Sequence, residues 1–180
     1  MRITISGPPG SGTTSLARHL TTRYGLDLIS AGEVFRQLAR EHGMDLAEFG
    51  RFAESDPSVD RMIDARQKEI GERSENIIVE GRLSGRMVEN ADLRIWLTAS
   101  IACRAKRIAG RDEMDEEGAL VYTENRQRSE ATRYLNYYGI EIGDLSHYDL
   151  VLSSETFGVD ALATIVDTAI ACLKRQKESL

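Results

Sequence analysis

Gly7-Pro8-Pro9-Gly10-Ser11-Gly12-Thr13-Thr14-Ser15 stands between a strand-like run, Arg2–Ser6, and a helical run over residues 14–24. Strand, glycine-rich turn and helix start make up the context of a phosphate-binding loop. Glycines let the backbone wrap an anion, and the helix start offers unpaired N–H groups and the positive end of a dipole. The pattern G-x-x-x-x-G-K-[ST] places a lysine on the β/γ-phosphates and a hydroxyl on Mg²⁺. Gly7, Gly12 and Thr14 fit it, but Thr13 occupies the lysine position. A neutral side chain cannot balance charge on a transferring phosphoryl group, so a working loop here needs a cation from elsewhere in the chain.

The bulk properties bound the reading. A chain of 180 residues, 41% hydrophobic and 29% charged, suits one globular domain with a substantial core. A net charge of −6 argues against a general nucleic-acid or anionic-membrane binder, so a polyanion site must concentrate its arginines locally. No 18-residue apolar run and no signal-peptide pattern occur, which predicts a cytoplasmic protein without membrane contact. His19, His42 and His147, Cys103 and Cys172 show no metal-ligand spacing.

Outward from the loop, further strands are expected at 26–29, 77–79, Leu93–Thr98 and 148–152. Helices are expected at 33–41, from about 46, from 57 to 72, at 101–111, 118–138 and 159–175. Ser30 with Glu33, and Asp45 with Glu48, have capping-box spacing, and Asp56-Pro57 sets a cap before a first-turn proline. Strands alternating with helices predict an α/β fold with a parallel sheet, whose ligands bind beyond the carboxyl ends of the strands. The glycine loop, Ser30, Glu80-Gly81-Arg82 and Thr98 all fall at those ends.

Glu80 ends an apolar strand, a costly place for a charge unless it meets a cation or a metal-bound water. In phosphate-loop proteins an acid at that place serves Mg²⁺. A salt-bridged structural glutamate is the competing account. Arg104, Arg107 and Arg111 recur at i, i+3, i+7 as one basic stripe, and Arg126, Arg128 and Arg133 punctuate the next helix. Two such clusters around the short acidic stretch 112–117 suit a lid closing on a triphosphate, because the guanidinium fork binds phosphate in bidentate fashion. Singly, each could be a solvated arginine paired to a neighbour such as Glu124 or Glu130.

Taken in order, these residues resemble the nucleoside monophosphate kinases, and most closely the archaeal-type cytidylate kinases. The carriers are residues 7–12, Ile29-Ser30-Ala31-Gly32-Glu33-Val34-Phe35-Arg36, Val79-Glu80-Gly81-Arg82, Arg107-Ile108-Ala109-Gly110-Arg111, residues 126–134 and Tyr137-Tyr138-Gly139-Ile140. The resemblance implies a three-layer phosphate-loop kinase fold: a central five-stranded parallel sheet, a helical acceptor-binding insertion at about 31–70 and a short lid at about 110–130, all in one domain. It implies Gly7, Pro8, Pro9, Gly10, Ser11, Gly12, Thr13, Thr14, Ser15 and Arg107 for ATP, and Ser30, Arg36 and Arg82 for the acceptor. Thr14, and Glu80 through water, would serve Mg²⁺; Arg111, Arg126, Arg133 and Glu80 would act on the transferring phosphoryl group.

The implied reaction is in-line transfer from ATP to CMP or dCMP, with no nucleic-acid or membrane partner and a monomeric enzyme. Arg126 or Arg133 is expected to take over the missing lysine's charge. Asp60, Asp64 and Arg66 lie in the acceptor region and could read the cytosine edge, or form a solvated helix face. An adenylate kinase or a kinase for another small acceptor such as shikimate stays open. So does a non-catalytic nucleotide-binding module that lost turnover with its lysine.

Overall fold

The computed structural model describes residues 1–179. Strands β1 (Arg2–Ser6), β2 (Asp27–Ser30), β3 (Ile77–Glu80), β4 (Leu93–Thr98) and β5 (Leu150–Ser153) form one sheet in the order β2-β3-β1-β4-β5. Every pairing is parallel. Between them run α1 (Thr13–Tyr24), α2 (Ala31–Glu41), α3 (Leu46–Ser55), α4 (Pro57–Arg73), α5 (Ser84–Met87), α6 (Ile101–Asp112), α7 (Glu116–Tyr138) and α8 (Val159–Glu178).

The central strands are apolar on both faces because both faces are covered, as parallel sheets require. Ile3, Ile5, Ile78, Ile95 and Leu97 pack with Leu16 and Leu20 of α1 and with Leu162, Val166 and Ile170 of α8. Ile77 and Val79 point the other way and pack with Val88 and with Ile70 of α4. Neighbouring β3 residues thus feed opposite layers, the period of a strand. A satellite core of Ala39, Phe49, Ala53, Val59 and Ile63 joins α2, α3 and α4 beside the sheet.

Local signals place most boundaries. The Asp45–Glu48 capping box forms with both hydrogen bonds, and Asp56 Oδ1 accepts from the Ser58 N–H at 2.9 Å before Pro57. Helix α2 begins at Ala31, not 33, and Ser30 makes only the first half of a capping box, because Glu33 reaches Arg18 instead. The acidic stretch opens α7: Asp115 caps the helix by accepting from Gly118 N–H at 2.8 Å, and Glu116 and Glu117 lie in its first turn. Helices α6 and α7 therefore form an antiparallel hairpin joined by residues 113–115, in which Glu113 has φ 54°. The four-residue α5 has no sequence signature long enough to predict.

Candidate active site

The loop between β1 and α1 is built for close approach. A Cβ on Gly7 would lie 2.5 Å from Ser11 Oγ and 2.6 Å from the Leu97 carbonyl, so only glycine fits there. Gly10 (φ 81°) is left-handed, and its Cβ would meet the Arg104 carbonyl at 2.8 Å. The loop closes through a Ser11 N–H to Pro8 carbonyl bond of 3.0 Å, and Leu16 N–H donates to the Gly12 carbonyl. Between these two, the N–H groups of Thr13, Thr14 and Ser15 have no backbone acceptor among the described residues, and no described side chain caps the helix. Those donors and the dipole behind them are an anion cradle.

Two arginines of α6 brace this cradle from behind. Arg104, 3% exposed, donates to the carbonyls of Pro9 (3.1 Å) and Ala99 (3.2 Å) and to Gln127 Oε1 (2.6 Å). Arg107 donates to the Gly10 carbonyl and to Ser154 Oγ and carbonyl, tying the loop to the segment after β5. The expected single basic stripe is therefore divided: Arg104 and Arg107 hold backbone carbonyls, and Arg111 alone of the three lines the cavity in front of the loop. Helical spacing could not show this, because the carbonyls come from other segments.

Glu80 stands at the end of β3, 6% exposed, where the sequence places it. Its two oxygens accept from Thr13 Oγ1 (2.6 Å) and Ser30 Oγ (2.5 Å). Gln67 of α4 donates to its carbonyl at 2.7 Å. The hydrogen bonds to the buried carboxylate thus come from two hydroxyls. Thr13, at the lysine position, is one of those donors. The Thr14 hydroxyl makes no hydrogen bond to any described residue. Among the described residues no three His, Cys, Asp or Glu side chains gather into a metal cage. Magnesium does not need one, since it keeps several waters and uses one or two protein oxygens plus substrate phosphates. Thr14 and Glu80 fit that donor set.

A cavity of about 560 Å³ opens over these groups. Its walls carry six guanidiniums, Arg36, Arg51, Arg82, Arg111, Arg126 and Arg133, against five carboxylates, in a chain of net charge −6. Local concentration of arginine is what a polyanion site in an acidic protein requires. The α7 arginines are held by acids. Glu130 accepts from Arg82 (2.7 and 2.6 Å) on Oε2 and from Arg126 (2.8 Å) on Oε1. Burial pushes the Glu130 carboxyl up, but the Arg82 and Arg126 guanidiniums outweigh it and hold it at about 2. Arg133 donates to Asp60 Oδ2 and Ser129 Oγ, both at 2.7 Å. Arg111 forks onto the Asp112 carboxylate at 2.7 and 2.6 Å.

Arg36 is different: no hydrogen bond or ion pair to a described residue engages it. Burial, and then the Arg111 charge, lower its pKa. Arg126 adds to that repulsion. Three cations from α2, α6 and α7 therefore face one space.

Of the residues picked from the sequence, Gly7, Pro8, Pro9, Gly10, Thr13, Thr14, Arg36, Glu80, Arg82, Arg111, Arg126 and Arg133 line this cavity. Ser11, Gly12, Ser15, Ser30 and Arg107 do not, although Ser30 reaches it through Glu80 and Arg107 through Gly10. Asp60 and Asp64 line it; Arg66 faces away, near the exposed Glu69. Arg128 lies on the other side of α7, in a separate cleft with Trp96 and Glu124. Glu130 and Tyr138 were the partners hardest to read. Glu130 looks like a surface i, i+4 mate of Arg126, and its contact with Arg82 spans 48 residues.

The family model described as the cytidylate kinase-like family matches residues 2–156. A cytidylate kinase of Methanoculleus marisnigri is 84% identical over 177 residues, covering 98% of each chain. One from Archaeoglobus fulgidus is 45% identical over 97% of each chain. Among solved structures, a shikimate kinase of Acinetobacter baumannii in complex with shikimate superposes with a TM-score of 0.61 over 94% of this chain and 92% of that one, at 14% identity. A gluconokinase of Sinorhizobium meliloti superposes with a TM-score of 0.58 over 99% and 94%, at 15% identity. At such identities the two structures share the fold alone with this chain.

Proposed function

The chain belongs to the cytidylate kinase-like family, and from that premise we propose that it transfers the γ-phosphoryl group of ATP to CMP, and to dCMP, with Mg²⁺. The observation that carries the reading is the meeting, in one cavity, of the anion cradle at α1 with guanidiniums from α2, the β3 end, α6 and α7. A protein that only bound ATP would have no use for a second cationic wall on α2.

Phosphoryl transfer needs little covalent help; positioning and charge do most of the work. The loop N–H groups hold the donor's phosphates. Magnesium, when bound, would supply positive charge that offsets that of the phosphates. Thr14 would offer it an oxygen, and Glu80 would accept from its waters. Arg36 and Arg82 hold the acceptor's phosphate, and Arg111, Arg126 and Arg133 face the charge that develops in transfer. Thr13 supplies no charge, and these arginines supply it in its place. Closure of the α6–α7 hairpin over about 110–130 would exclude water, so that hydrolysis does not compete. Arg107 braces the loop and would flank the donor's base. The enzyme acts as a cytoplasmic monomer; no described helix is long and apolar enough to cross a membrane.

The test is ADP release in Mg²⁺–ATP with CMP, dCMP, UMP and AMP offered separately. Turnover on CMP and dCMP at least tenfold above the others is expected. Best turnover on AMP would overturn the acceptor, and tight ATP binding without acceptor-stimulated turnover would overturn the enzyme.

A further inference from the structure

Beyond the phosphate groups, the cavity runs along α4. Gln67 fixes that helix to the Glu80 carbonyl, at the level of the phosphates. With a rise of about 1.5 Å per residue, Asp64 and Asp60 stand roughly 5 and 10 Å farther out. Arg36 and both acids line the same cavity, so an acceptor whose phosphate meets Arg36 can direct its base to this side. Leu46, Ala47 and Gly50 of α3 and Ile63 of α4 give this end small or apolar walls.

The two acids are not equivalent. Asp60 Oδ2 is spent on Arg133. Among the described residues Asp64 has no cation of its own: its Oδ2 accepts from the Tyr138 hydroxyl at 2.9 Å, and no hydrogen bond uses Oδ1. The residue is 8% exposed and lines the cavity. We propose that Asp64, braced by Tyr138, reads the amino edge of the acceptor's base and sets the preference for cytosine over uracil. This rests on the cytidylate reading above and names the group that enforces it.

The chemistry follows from where a proton can sit. Cytosine presents an N4 amino donor beside the N3 acceptor, and uracil presents an O4 acceptor beside an N3–H donor. Because the Tyr138 O–H already donates to Oδ2, a proton on the carboxyl belongs on Oδ1. A neutral Asp64 then donates from Oδ1 to cytosine N3 and accepts the N4 amino proton on the remaining lone pair of Oδ2. Uracil would set its N3–H against that O–H. An ionised Asp64 reverses the preference at N3, since it repels the cytosine lone pair and accepts from uracil.

Burial pushes the Asp64 carboxyl up, against the Tyr138 hydrogen bond, to about 7. The charged and titratable groups acting on it are Asp60 on α4 and Arg133, Tyr134 and Tyr138 on α7, while Arg51 and Glu54 of α3 and Arg36 of α2 line the same cavity. Asp60 raises the carboxyl further and Arg133 lowers it. Adenine carries the same donor–acceptor pair as cytosine, so Asp64 acts on CMP against UMP and not on CMP against AMP.

The test measures kcat/KM for CMP and for UMP with Mg²⁺–ATP between pH 6 and 8.5, in the wild type, Asp64→Asn and Tyr138→Phe. Both acceptors carry the same phosphate, whose second ionisation near pH 6 cancels in the ratio. In the wild type the CMP/UMP ratio should fall about tenfold as pH rises past 7. Asp64→Asn, whose amide can turn to suit either edge, should make the ratio flat with pH and bring it within a few-fold of one. Tyr138→Phe, which frees the proton to sit on either oxygen, should lower the ratio at pH 6. A wild type that prefers CMP while Asp64→Asn keeps both ratio and pH profile would overturn this proposal alone. So would an equal loss on both acceptors, the signature of a packing role. A wild type that does not prefer CMP at any pH would overturn the acceptor reading, and this proposal with it.

Discussion

Replacing Glu130 by glutamine removes one charge and leaves the shape. The carboxylate accepts two hydrogen bonds from Arg82 and one from Arg126, with Glu130 and Arg82 side chains 8% and 9% exposed. Removing one partner of a buried ion pair costs about 3–5 kcal/mol, because the other charge stays behind unpaired. The Arg126 share is smaller, since that side chain is 32% exposed and water screens it. A loss of about 2–4 kcal/mol is therefore expected for Glu130→Gln at pH 7.

The pKa gives an independent route to the same size. The carboxyl falls from 4.5 to about 2. At about 1.4 kcal/mol per pH unit of displacement that amounts to ~3 kcal/mol. A depressed acid stabilises the fold above its unfolded value and loses that contribution as pH falls through its folded value. The difference between wild type and variant should thus be full above pH 4.5 and shrink between 4.5 and 2. Urea unfolding followed by the single Trp96 at pH 7 and pH 3 measures both. A variant within 1 kcal/mol of wild type at pH 7, or a difference that persists undiminished at pH 3, would refute the reasoning. Because the same carboxylate holds Arg82 and Arg126 in place, kcat/KM for the acceptor should also fall at least tenfold.

Arg36→Ala should leave stability within about 0.5 kcal/mol, because no described residue pairs with it, while raising KM for the acceptor about 10- to 100-fold, the worth of a charged hydrogen bond; equal losses of stability and affinity would mean that Arg36 is structural. Thr13→Lys should change kcat less than about tenfold, and a gain of a hundredfold or more, about 3 kcal/mol, would show that the arginines do not supply the missing charge. Asp64→Asn should stabilise the protein at pH 8 and not at pH 4. Its acid is raised from 3.8 to about 7, so the wild type loses up to ~4 kcal/mol as pH climbs through that window. Thermal unfolding at the two pH values decides it, and a variant less stable at pH 8 would refute the sign.

The parts of the site that are local in sequence were legible. The glycine loop, the cap at Asp56-Pro57 and the acid at the end of β3 each depend on neighbours within a few residues. The central strands β1, β3 and β4 read correctly because buried parallel strands are short apolar runs with glycine or polar ends, and the edge strands β2 and β5 because each is a short apolar run beside them. What stayed hidden is what long contacts decide. Arg104 has the same spacing as Arg111, yet its partners are loop carbonyls and Gln127, so it is buried while Arg111 faces the cavity. Asp64 and Arg66 stand two residues apart on α4, about 200° around the helix, so that when Asp64 faces the cavity Arg66 faces solvent. The carboxyl–hydroxyl contact of Asp64 with Tyr138 spans 74 residues, beyond any periodicity.

The absent lysine is intelligible from the same geometry. Thr13 Oγ1 lies 2.6 Å from Glu80 Oε1, so a lysine at this position would have its ammonium drawn to a buried carboxylate. Much of its charge would be spent there before any phosphate arrived. A threonine satisfies one Glu80 oxygen with a neutral hydrogen bond and Ser30 satisfies the other, so no described cation is hydrogen-bonded to the acid. Arg36, Arg111 and Arg126 then repel one another across the cavity. Asp112 and Glu130 offset the Arg111 and Arg126 charges in part, and an anion between the three would relieve the rest. On the proposed mechanism, the positive charge that a lysine would fix at the loop is instead distributed over α2, α6 and α7, whose arginines line the one cavity.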